Sequence, residues 1–299
     1  MRAIKTNFFM TNIYDFISAN ASYFDQLKFG NEDDLFIDYL CPIKEMKARV
    51  WSHKNCLMYV MQGAKGYASL HQHHESQKGE VLFIRKGGYI LFQRFKEPYR
   101  ALIFMFGDNA VKSLLADYPD LLSLDHNTKS GFMNQPEVLL LESSPYVASI
   151  FVGAHEYLKQ PDAQRHISLQ LKFKELLVNL LRKKESNAFY LYLSWFSLDN
   201  DAPFIKLMME NSHLNFTAEE LARTAGMSLS SFKRKFKKQF GMSPGKWLRE
   251  QRIARAEGML KNLNKNISDI AFELGYSDAA AFSKSFKSET GVSPTEYSK

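Results

Sequence analysis

Short apolar runs separated by turn residues fill the segment between residues 57 and 106. Runs of this length bounded by glycine or Glu-Pro pairs are typical of strands. The runs cover residues 57–61, 81–84, 89–92 and 101–106. Strands with this spacing predict a small antiparallel barrel or sandwich in the N-terminal part of the chain.

After residue 108 the apolar residues recur at three- and four-residue steps, which indicates helices. The clearest stripe lies within residues 166–182 and consists of Leu169, Phe173, Leu176, Leu177 and Leu180. A stripe of this kind needs a surface to pack against. Two surfaces fit the pattern, namely the barrel of the same chain and the same helix of a second chain, so periodicity alone leaves both open.

A polar segment that ends at a proline, residues 197–203, has the character of an interdomain linker. We therefore divide the chain into an N-terminal domain (1–196), this linker and a C-terminal domain (204–299). A length of 299 residues also suits two cores better than one. The expected fold class is α+β, with an antiparallel β-barrel and helices followed by an all-α domain.

One helical pattern occurs twice in the C-terminal domain: residues 221–226 (LARTAG) align with residues 270–275 (IAFELG). The glycine that ends each segment, Gly226 or Gly275, suits a tight turn with positive φ. Before each segment stands a residue that can cap a helix, Thr217 in the first copy and Asn266 in the second. The pattern predicts two helix-turn-helix units.

A second helix follows each turn glycine, and Ser228 and Ser277 are the predicted caps of these helices. In the first copy Phe232 and Phe236 share one face of the helix. The polar residues that this arrangement turns outward are Ser230, Lys233, Arg234, Lys237 and Lys238.

The outward residues of the first copy predict contacts with DNA. Early residues of a recognition helix read base edges, so we expect Arg234 and Lys233 to donate to guanine. Lys237 and Lys238 come one turn later and are predicted to contact phosphates. The alternative is an ordinary solvated helix face.

The second copy has different early residues. Ala279, Ala280 and Ala281 come first, Ser283 and Lys284 follow, and Lys287 lies further on. Alanine can contact a thymine methyl group but cannot donate a hydrogen bond. We expect this copy to hold phosphates, through Lys287, and to discriminate bases less than the first.

Residues 244–261 between the two copies predict one longer helix that begins with a proline. Its inward residues are Trp247, Leu248, Ile253, Ala256 and Leu260. A rigid spacer of this kind would fix the relative placement of the two recognition helices, which would lie about 34 Å apart if they enter successive major grooves.

Charge supports a nucleic-acid partner. The chain carries a net charge of +7, and residues 204–299, with 16 Lys and Arg against 10 Asp and Glu, account for +6 of it. A concentrated cationic face attracts a polyanion through counterion release.

The two cysteines, Cys41 and Cys56, match no metal-binding or redox spacing, and no apolar run reaches about 18 residues. A reducing cytoplasm, without secretion or membrane insertion, is the expected location.

The second copy and its continuation resemble the signature of the AraC/XylS family of bacterial transcription regulators. The resemblance rests on residues 267–278 (ISDIAFELGYSD), 282–287 (FSKSFK) and 290–294 (TGVSP), and it covers roughly residues 204–299. It implies promoter binding through two helix-turn-helix subdomains joined by a linker helix, most often with activation through RNA polymerase. The base-contacting positions that it implies are Ser230, Lys233, Arg234, Ala279, Ala280, Ser283 and Lys284. The second copy departs from the family pattern, in which polar residues often precede the aromatic residue.

A looser resemblance covers the N-terminal domain. Residues 59–63 and 79–84 are similar to the cupin-type effector domain of the same family. Residues 83–91 and 118–121 are more similar to its ExsA-like branch, in which a protein partner rather than a sugar regulates activity. The resemblance implies a cupin-like barrel that binds an unknown small ligand or a regulatory protein. It also implies a homodimer formed through the stripe of residues 166–182. We expect no cofactor, metal or catalytic residue.

Two other functions fit the sequence less well. His71, His73 and Glu75 contain the His-x-His pair of a cupin metal site, which would suit a metal-dependent enzyme fused to a DNA-binding domain. A dimeric DNA-binding protein without an effector is the second alternative. A polar-lined cavity in the barrel would favour a small ligand, whereas a filled interior would favour dimerisation or a protein partner.

Overall fold

The computed structural model describes residues 11–30, 33–42, 46–68, 73–93, 97–122, 136–159, 163–181, 188–196, 201–261 and 266–298. The contacts among residues divide the chain between Pro203 and Phe204. Residues 197–200 of the predicted linker lie outside the described residues. A helix, Ala202–Asn211, already begins within its last two residues.

Five strands form the first sheet of the N-terminal unit, in the order β1-β4-β9-β6-β7. β1 pairs with β4 in parallel, and the other neighbours are antiparallel. The strands are β1 (Thr11–Asn12), β4 (Lys47–Ser52), β9 (Gly87–Gln93), β6 (Lys65–Ala68) and β7 (His73–Ser76).

Six antiparallel strands form the second sheet, in the order β11-β8-β5-β10-β3-β2. They are β11 (Val138–Leu141), β8 (Val81–Ile84), β5 (Asn55–Gln62), β10 (Arg100–Phe106), β3 (Asp34–Leu40) and β2 (Asp25–Phe29). The four apolar runs predicted as strands lie in β5, β8, β9 and β10, which confirms the antiparallel fold.

Strands β2, β3 and β4 have no counterpart among the predicted strands, because charged residues interrupt their apolar pattern. Two of these residues are buried carboxylates that find cationic partners far along the chain. Asp34 lies 3.0 Å from Lys54 Nζ. Asp38 accepts hydrogen bonds from the Arg100 guanidinium and lies 2.9 Å from His155 Nε2. The Arg100 guanidinium and His155 keep the pKa of Asp38 below its usual range, although burial alone would raise it.

Side chains on β10 divide between two cores. Ala101, Ile103 and Met105 point between the two sheets, whereas Leu102, Phe104 and Phe106 point to the outer face of the six-stranded sheet. This arrangement explains why β10 is a continuous apolar run, since both of its faces are covered.

The outer face of the six-stranded sheet is covered by four helices: α2 (Asp108–Asp117), α3 (Pro145–Lys159), α4 (Arg165–Leu180) and α5 (Ala188–Phe196). α1 (Ile13–Ala19) instead packs with the core between the sheets.

The apolar stripe of α4 packs against this sheet. Phe173 lies 5.4 Å from the Phe104 ring and 4.9 Å from the Phe106 ring, measured between centroids. The stripe that was predicted as a dimer interface, Leu169, Phe173, Leu176, Leu177 and Leu180, is fully or almost fully buried within its own domain. The sheet of the same chain already covers these side chains, and their contact with a second chain stays a prediction. The structure shows the other of the two expected arrangements, in which the stripe packs against the sheet of the same chain.

The C-terminal unit is entirely helical in its described part. Its helices are α6 (Ala202–Asn211), α7 (Ala218–Thr224), α8 (Leu229–Phe240), α9 (Pro244–Leu260), α10 (Ile267–Glu273), α11 (Ala279–Thr290) and α12 (Pro294–Tyr297). None of the helices in the described part of the chain has the length and apolar character that a membrane span requires.

Candidate nucleic-acid interface

The first helix-turn-helix unit consists of α7 and α8. Thr217 and Glu220 form the predicted capping box at the start of α7, with Glu220 N 3.1 Å from Thr217 Oγ1. Gly226 has φ +68° in the turn, a conformation that a residue with a Cβ seldom adopts. Ser228 caps α8 as predicted by accepting a hydrogen bond from Ser231 N. Local chemistry therefore fixes both ends of the turn.

The inward face of α8 is aromatic. Phe232 and Phe236 are completely buried. The Phe236 ring lies 5.5 Å from Trp247 of α9 and 4.4 Å from Phe240, and Phe232 lies 5.8 Å from Phe204 of α6. These contacts orient α8, because rotation of the helix would expose two phenylalanines.

The outward face of α8 carries the predicted DNA contacts. Ser230, Lys233, Arg234, Lys237 and Lys238 are all exposed. None of the four basic residues among them forms an ion pair with a described residue. Lys235, the fifth basic residue of the run, differs because its Nζ lies 5.1 Å from the centroid of the Phe204 ring. Four unpaired cations on one helix face form a surface suited to a polyanion.

The second unit, α10 and α11, repeats the scaffold with one change. Asn266 caps α10, with its Oδ1 2.8 Å from Asp269 N, and Gly275 has φ +81° in the turn. The cap of α11 is Asp278, whose Oδ1 lies 2.7 Å from Ala281 N. The prediction of Ser277 as this cap is wrong by one residue. Ser277 donates its hydroxyl to Asp278 instead.

The outward face of α11 is less polar than that of α8. Phe282 and Phe286 are completely buried, beside Tyr276 and Tyr297. Of the predicted contact residues, Ala280, Lys284 and Lys287 are exposed. Ala279 is half-buried and packs against the core of the second unit, and Ser283, also half-buried, donates its hydroxyl to Ala279 O at 2.7 Å.

A hydrogen-bonded brace joins the two units through Asn215, in the loop before α7. Asn215 Nδ2 donates to Glu273 O at the end of α10, at 3.0 Å, and Arg255 of α9 donates to Asn215 Oδ1 at 3.4 Å. A Cβ on Gly275 would lie only 3.0 Å from Asn215 Nδ2, so the glycine is needed for this close approach as well as for the turn. Sequence reasoning missed Asn215, because hydrophobic periodicity carries no signal for one loop amide.

The linker helix α9 spans Pro244–Leu260, one residue shorter than predicted, and Ser243 caps it. All of its predicted inward residues, Trp247, Leu248, Ile253, Ala256 and Leu260, are buried. Trp247 contacts the core of the first unit, whereas Ile253, Ala256 and Leu260 belong to the core of the second. One rigid helix thus contributes to both units.

The histidine cluster of the N-terminal domain lies partly outside the described residues, since His71 is not among them. His73, on β7, packs its ring 5.6 Å from Phe92, and His74 lies 3.6 Å from Glu80. Within the described ranges, no three His, Cys, Asp or Glu side chains are grouped so that they could hold a metal ion.

Two capped helix-turn-helix units with a cationic helix face, joined to a domain of two β-sheets, define a DNA-binding transcription regulator. Comparison with known proteins is consistent with each part. A family described as a helix-turn-helix domain matches residues 221–299, and the ExsA N-terminal regulatory domain matches residues 55–192. The chain belongs to the AraC/XylS family, in the branch that has the ExsA-type regulatory domain.

Three curated relatives are similar to this protein over most of its length. The virulence regulon transcriptional activator VirF of Yersinia enterocolitica is 27% identical over 83% of this chain and 90% of its own length. The thermoregulatory protein LcrF of Yersinia pestis is 27% identical with the same coverage. The regulator ExsA of Pseudomonas aeruginosa is 27% identical over 73% of this chain and 76% of its own length.

Proposed function

We propose that this protein activates transcription by binding promoter DNA with both helix-turn-helix units, the first of which reads bases while the second mainly anchors the complex. The observation that carries the proposal is the outward face of α8, where four exposed cations form no ion pair with any residue that the structure describes. The name of the VirF relative describes an activator, which supports the same sign of action here. Contact with RNA polymerase and action in the bacterial cytoplasm are parts of this proposal.

In the first unit we assign base contacts to Ser230, Lys233 and Arg234. Arginine can donate to guanine O6 and N7 together, so Arg234 is the residue expected to contribute most to base discrimination. Lys237 and Lys238, one turn further along α8, are assigned to phosphates.

In the second unit we assign Lys287 to a phosphate and Ala279, Ala280, Ser283 and Lys284 to the base edges. Their exposure supports unequal roles. Ala280 and Lys284 are the exposed members of this set, and the Ser283 hydroxyl already donates to a backbone oxygen of its own helix. Lys284 is the remaining exposed hydrogen-bond donor among these side chains.

A binding experiment tests this assignment. Footprinting of the full-length protein on genomic DNA would give the operator, and titration of that operator and of a scrambled duplex would give the two affinities. Lys237→Ala is expected to weaken both affinities by similar factors and to reduce the dependence of log K on log salt concentration by about one unit. A loss confined to the operator would contradict the phosphate role of Lys237.

We further propose that a protein partner, rather than a small ligand, acts on the N-terminal domain. The cavity between the two sheets, near Lys65, Tyr67 and Ile103, measures about 70 Å³. Pockets that bury a drug-sized ligand usually enclose about 300 Å³ or more. A nearly filled interior offers little room for an effector and leaves the surface of the domain as the place of control.

A larger side chain in the cavity distinguishes control by a small ligand from control by a protein partner. Ile103→Phe would fill the remaining space and block a small effector, whereas a partner at the surface would be unaffected. Promoter-reporter output in the native host, with and without inducing conditions, is the measurement. Loss of induction in a folded Ile103→Phe protein would favour the small ligand.

A homodimer remains part of the proposal, but through a different face of α4. Ile167 and Leu171 lie one turn apart on this helix and are 49% and 61% exposed, and Val152 on the neighbouring α3 is 44% exposed. Exposed apolar residues grouped in this way favour an interaction surface. Leu171→Glu should shift a dimer toward monomer in sedimentation, whereas Leu176→Glu should unfold the domain. An unchanged mass for Leu171→Glu would exclude this face.

A further inference from the structure

The residue that caps α11 gives the second recognition helix a charge that the first does not have at the same position. Asp278 caps α11, as Ser228 caps α8. The Ser228 hydroxyl is uncharged and already donates a hydrogen bond to Ser231 Oγ at 3.0 Å. Asp278 is an exposed carboxylate instead. The N-terminal end of α11 therefore presents a negatively charged hydrogen-bond acceptor where α8 presents a hydroxyl.

Capping uses only part of the Asp278 carboxylate. Its Oδ1 accepts a hydrogen bond from the Ala281 amide at 2.7 Å, and its Oδ2 accepts one from the Ser277 hydroxyl at 3.1 Å. The two oxygens of a carboxylate offer about four acceptor positions in total, so this exposed group can still accept from a donor outside the chain. The Ala281 amide and the Ser277 hydroxyl also keep the pKa of Asp278 below its usual range, so the group is an anion at neutral pH.

The position of Asp278 along α11 suits a contact with a base. The residues near the N-terminus of a recognition helix are those that reach base edges. Residues 279–281, which follow Asp278, are alanines without a polar side-chain atom, and Lys284 lies more than one turn further along the helix. A carboxylate is repelled by phosphates, whereas it accepts hydrogen bonds from the amino groups that bases present in the major groove. A base edge is therefore the favourable partner for Asp278 on DNA.

We propose that Asp278 reads one cytosine in the half-site bound by the second unit, by accepting a hydrogen bond from the N4 amino group of that base. The inference rests on the proposed function, because it requires α11 to lie in the major groove. In that groove cytosine presents a donor alone, adenine presents a donor beside the acceptor N7, and guanine and thymine present acceptors. An ionised carboxylate can only accept, so it favours cytosine.

Asp278→Asn tests this contact without removing the cap. Asparagine caps a helix about as well as aspartate, but its amide also donates and pairs with N6 and N7 of adenine. The full-length wild-type and variant proteins each select DNA from a pool in which both half-sites are randomised. At one base pair of the second half-site we expect the wild-type protein to prefer cytosine by about fivefold, and Asp278→Asn to prefer adenine instead.

Asp278→Ser is the matched control, because serine is the cap at the same position of the first unit. This variant keeps a capping side chain and should lose the cytosine preference without gaining one for adenine. Circular dichroism checks that both variants are folded. A wild-type protein without a cytosine preference in the second half-site would overturn the proposal, and so would a cytosine preference that is unchanged in folded Asp278→Asn protein.

Selection with Arg234→Ala separates a failure of this assignment from a failure of the proposed function. Arg234→Ala should flatten the half-site of the first unit and leave the cytosine preference of the other in place. If it does so while Asp278→Asn changes neither half-site, the first unit reads bases and Asp278 is a cap alone. If Arg234→Ala flattens neither half-site, base reading by the first unit is contradicted, and the response to Asp278→Asn still decides whether Asp278 contacts a base.

Discussion

The two helix-turn-helix units share a scaffold and differ in what they present to solvent. Each has a capping residue, a turn glycine with positive φ, and two buried phenylalanines one helical turn apart. The first unit presents four exposed cations on α8, whereas the second presents alanines and two exposed lysines on α11. The comparison indicates that the internal positions fix the fold of a unit, while its outward positions can differ without changing that fold.

Substitutions in the cores of the two units should have the largest effect on stability, and the effect should be similar in both units. Removing either buried ring, by Phe236→Ala or Phe286→Ala, leaves a cavity and should lower the free energy of unfolding by about 3–5 kcal/mol. Urea denaturation of the full-length protein, followed by circular dichroism, measures the change. A cost below about 1 kcal/mol for one of the two would show that its unit is not held by this core.

The outward faces should distinguish the units. Arg234→Ala should cost about 1–3 kcal/mol of binding to the operator and relax base preference, because a bidentate contact is lost. Lys284→Ala, its counterpart in the second unit, should cost less and leave base preference nearly unchanged. Lys246→Ala, an exposed cation outside both recognition helices, is the matched control. Similar changes in preference for Arg234→Ala and Lys284→Ala would remove the distinction between the units.

The brace at Asn215 tests whether the units act as one body. Asn215→Ala removes both of its hydrogen bonds, which together stabilise the joint by about 1 kcal/mol. Affinity for a duplex with both half-sites should fall by several fold, while affinity for a duplex with one half-site should not change. Fluorescence anisotropy with the two duplexes measures both. Equal losses on the two duplexes would mean that Asn215 supports the fold of a unit rather than its placement.

The smallest effect concerns the caps, which are a hydroxyl in the first unit and a carboxylate in the second. The Ala281 amide and the Ser277 hydroxyl lower the pKa of Asp278. A lowered pKa means that Asp278 stabilises the folded state above about pH 4 and that this stabilisation is lost as the pH falls further.

Urea midpoints at pH 7 and pH 3 compare these caps. Asp278→Ala should lower the midpoint at pH 7 more than at pH 3, whereas Ser228→Ala should lower it by the same amount at both. A cost of Asp278→Ala that does not depend on pH would exclude the charged form as the cap.

Features that depend on neighbours in the sequence could be predicted. The capping box of Thr217 and Glu220, the turn glycines and the buried residues of α9 all follow from spacing within one or two helical turns. The cap of α11 was misplaced by one residue because Ser277 and Asp278 both have suitable side chains, and only the backbone geometry selects Asp278.

Features that depend on distant partners could not be predicted. The periodicity of the α4 stripe predicts that its side chains are buried, but it does not predict which surface covers them. In the structure the six-stranded sheet covers them. The charged residues Asp34 and Asp38 interrupt the apolar pattern of β3, and the cations that pair with them lie 20 and 62 residues away along the chain. The brace at Asn215 likewise joins residues 58 positions apart.

The unequal division of base reading is tested most directly by selecting DNA from a random-sequence pool with the full-length protein. We predict that base preference in the selected sequences is concentrated in one of two half-sites, and that repeating the selection with Arg234→Ala flattens that half-site. Equal base preference in both half-sites, or a flattening by Arg234→Ala that is spread evenly over them, would contradict the account.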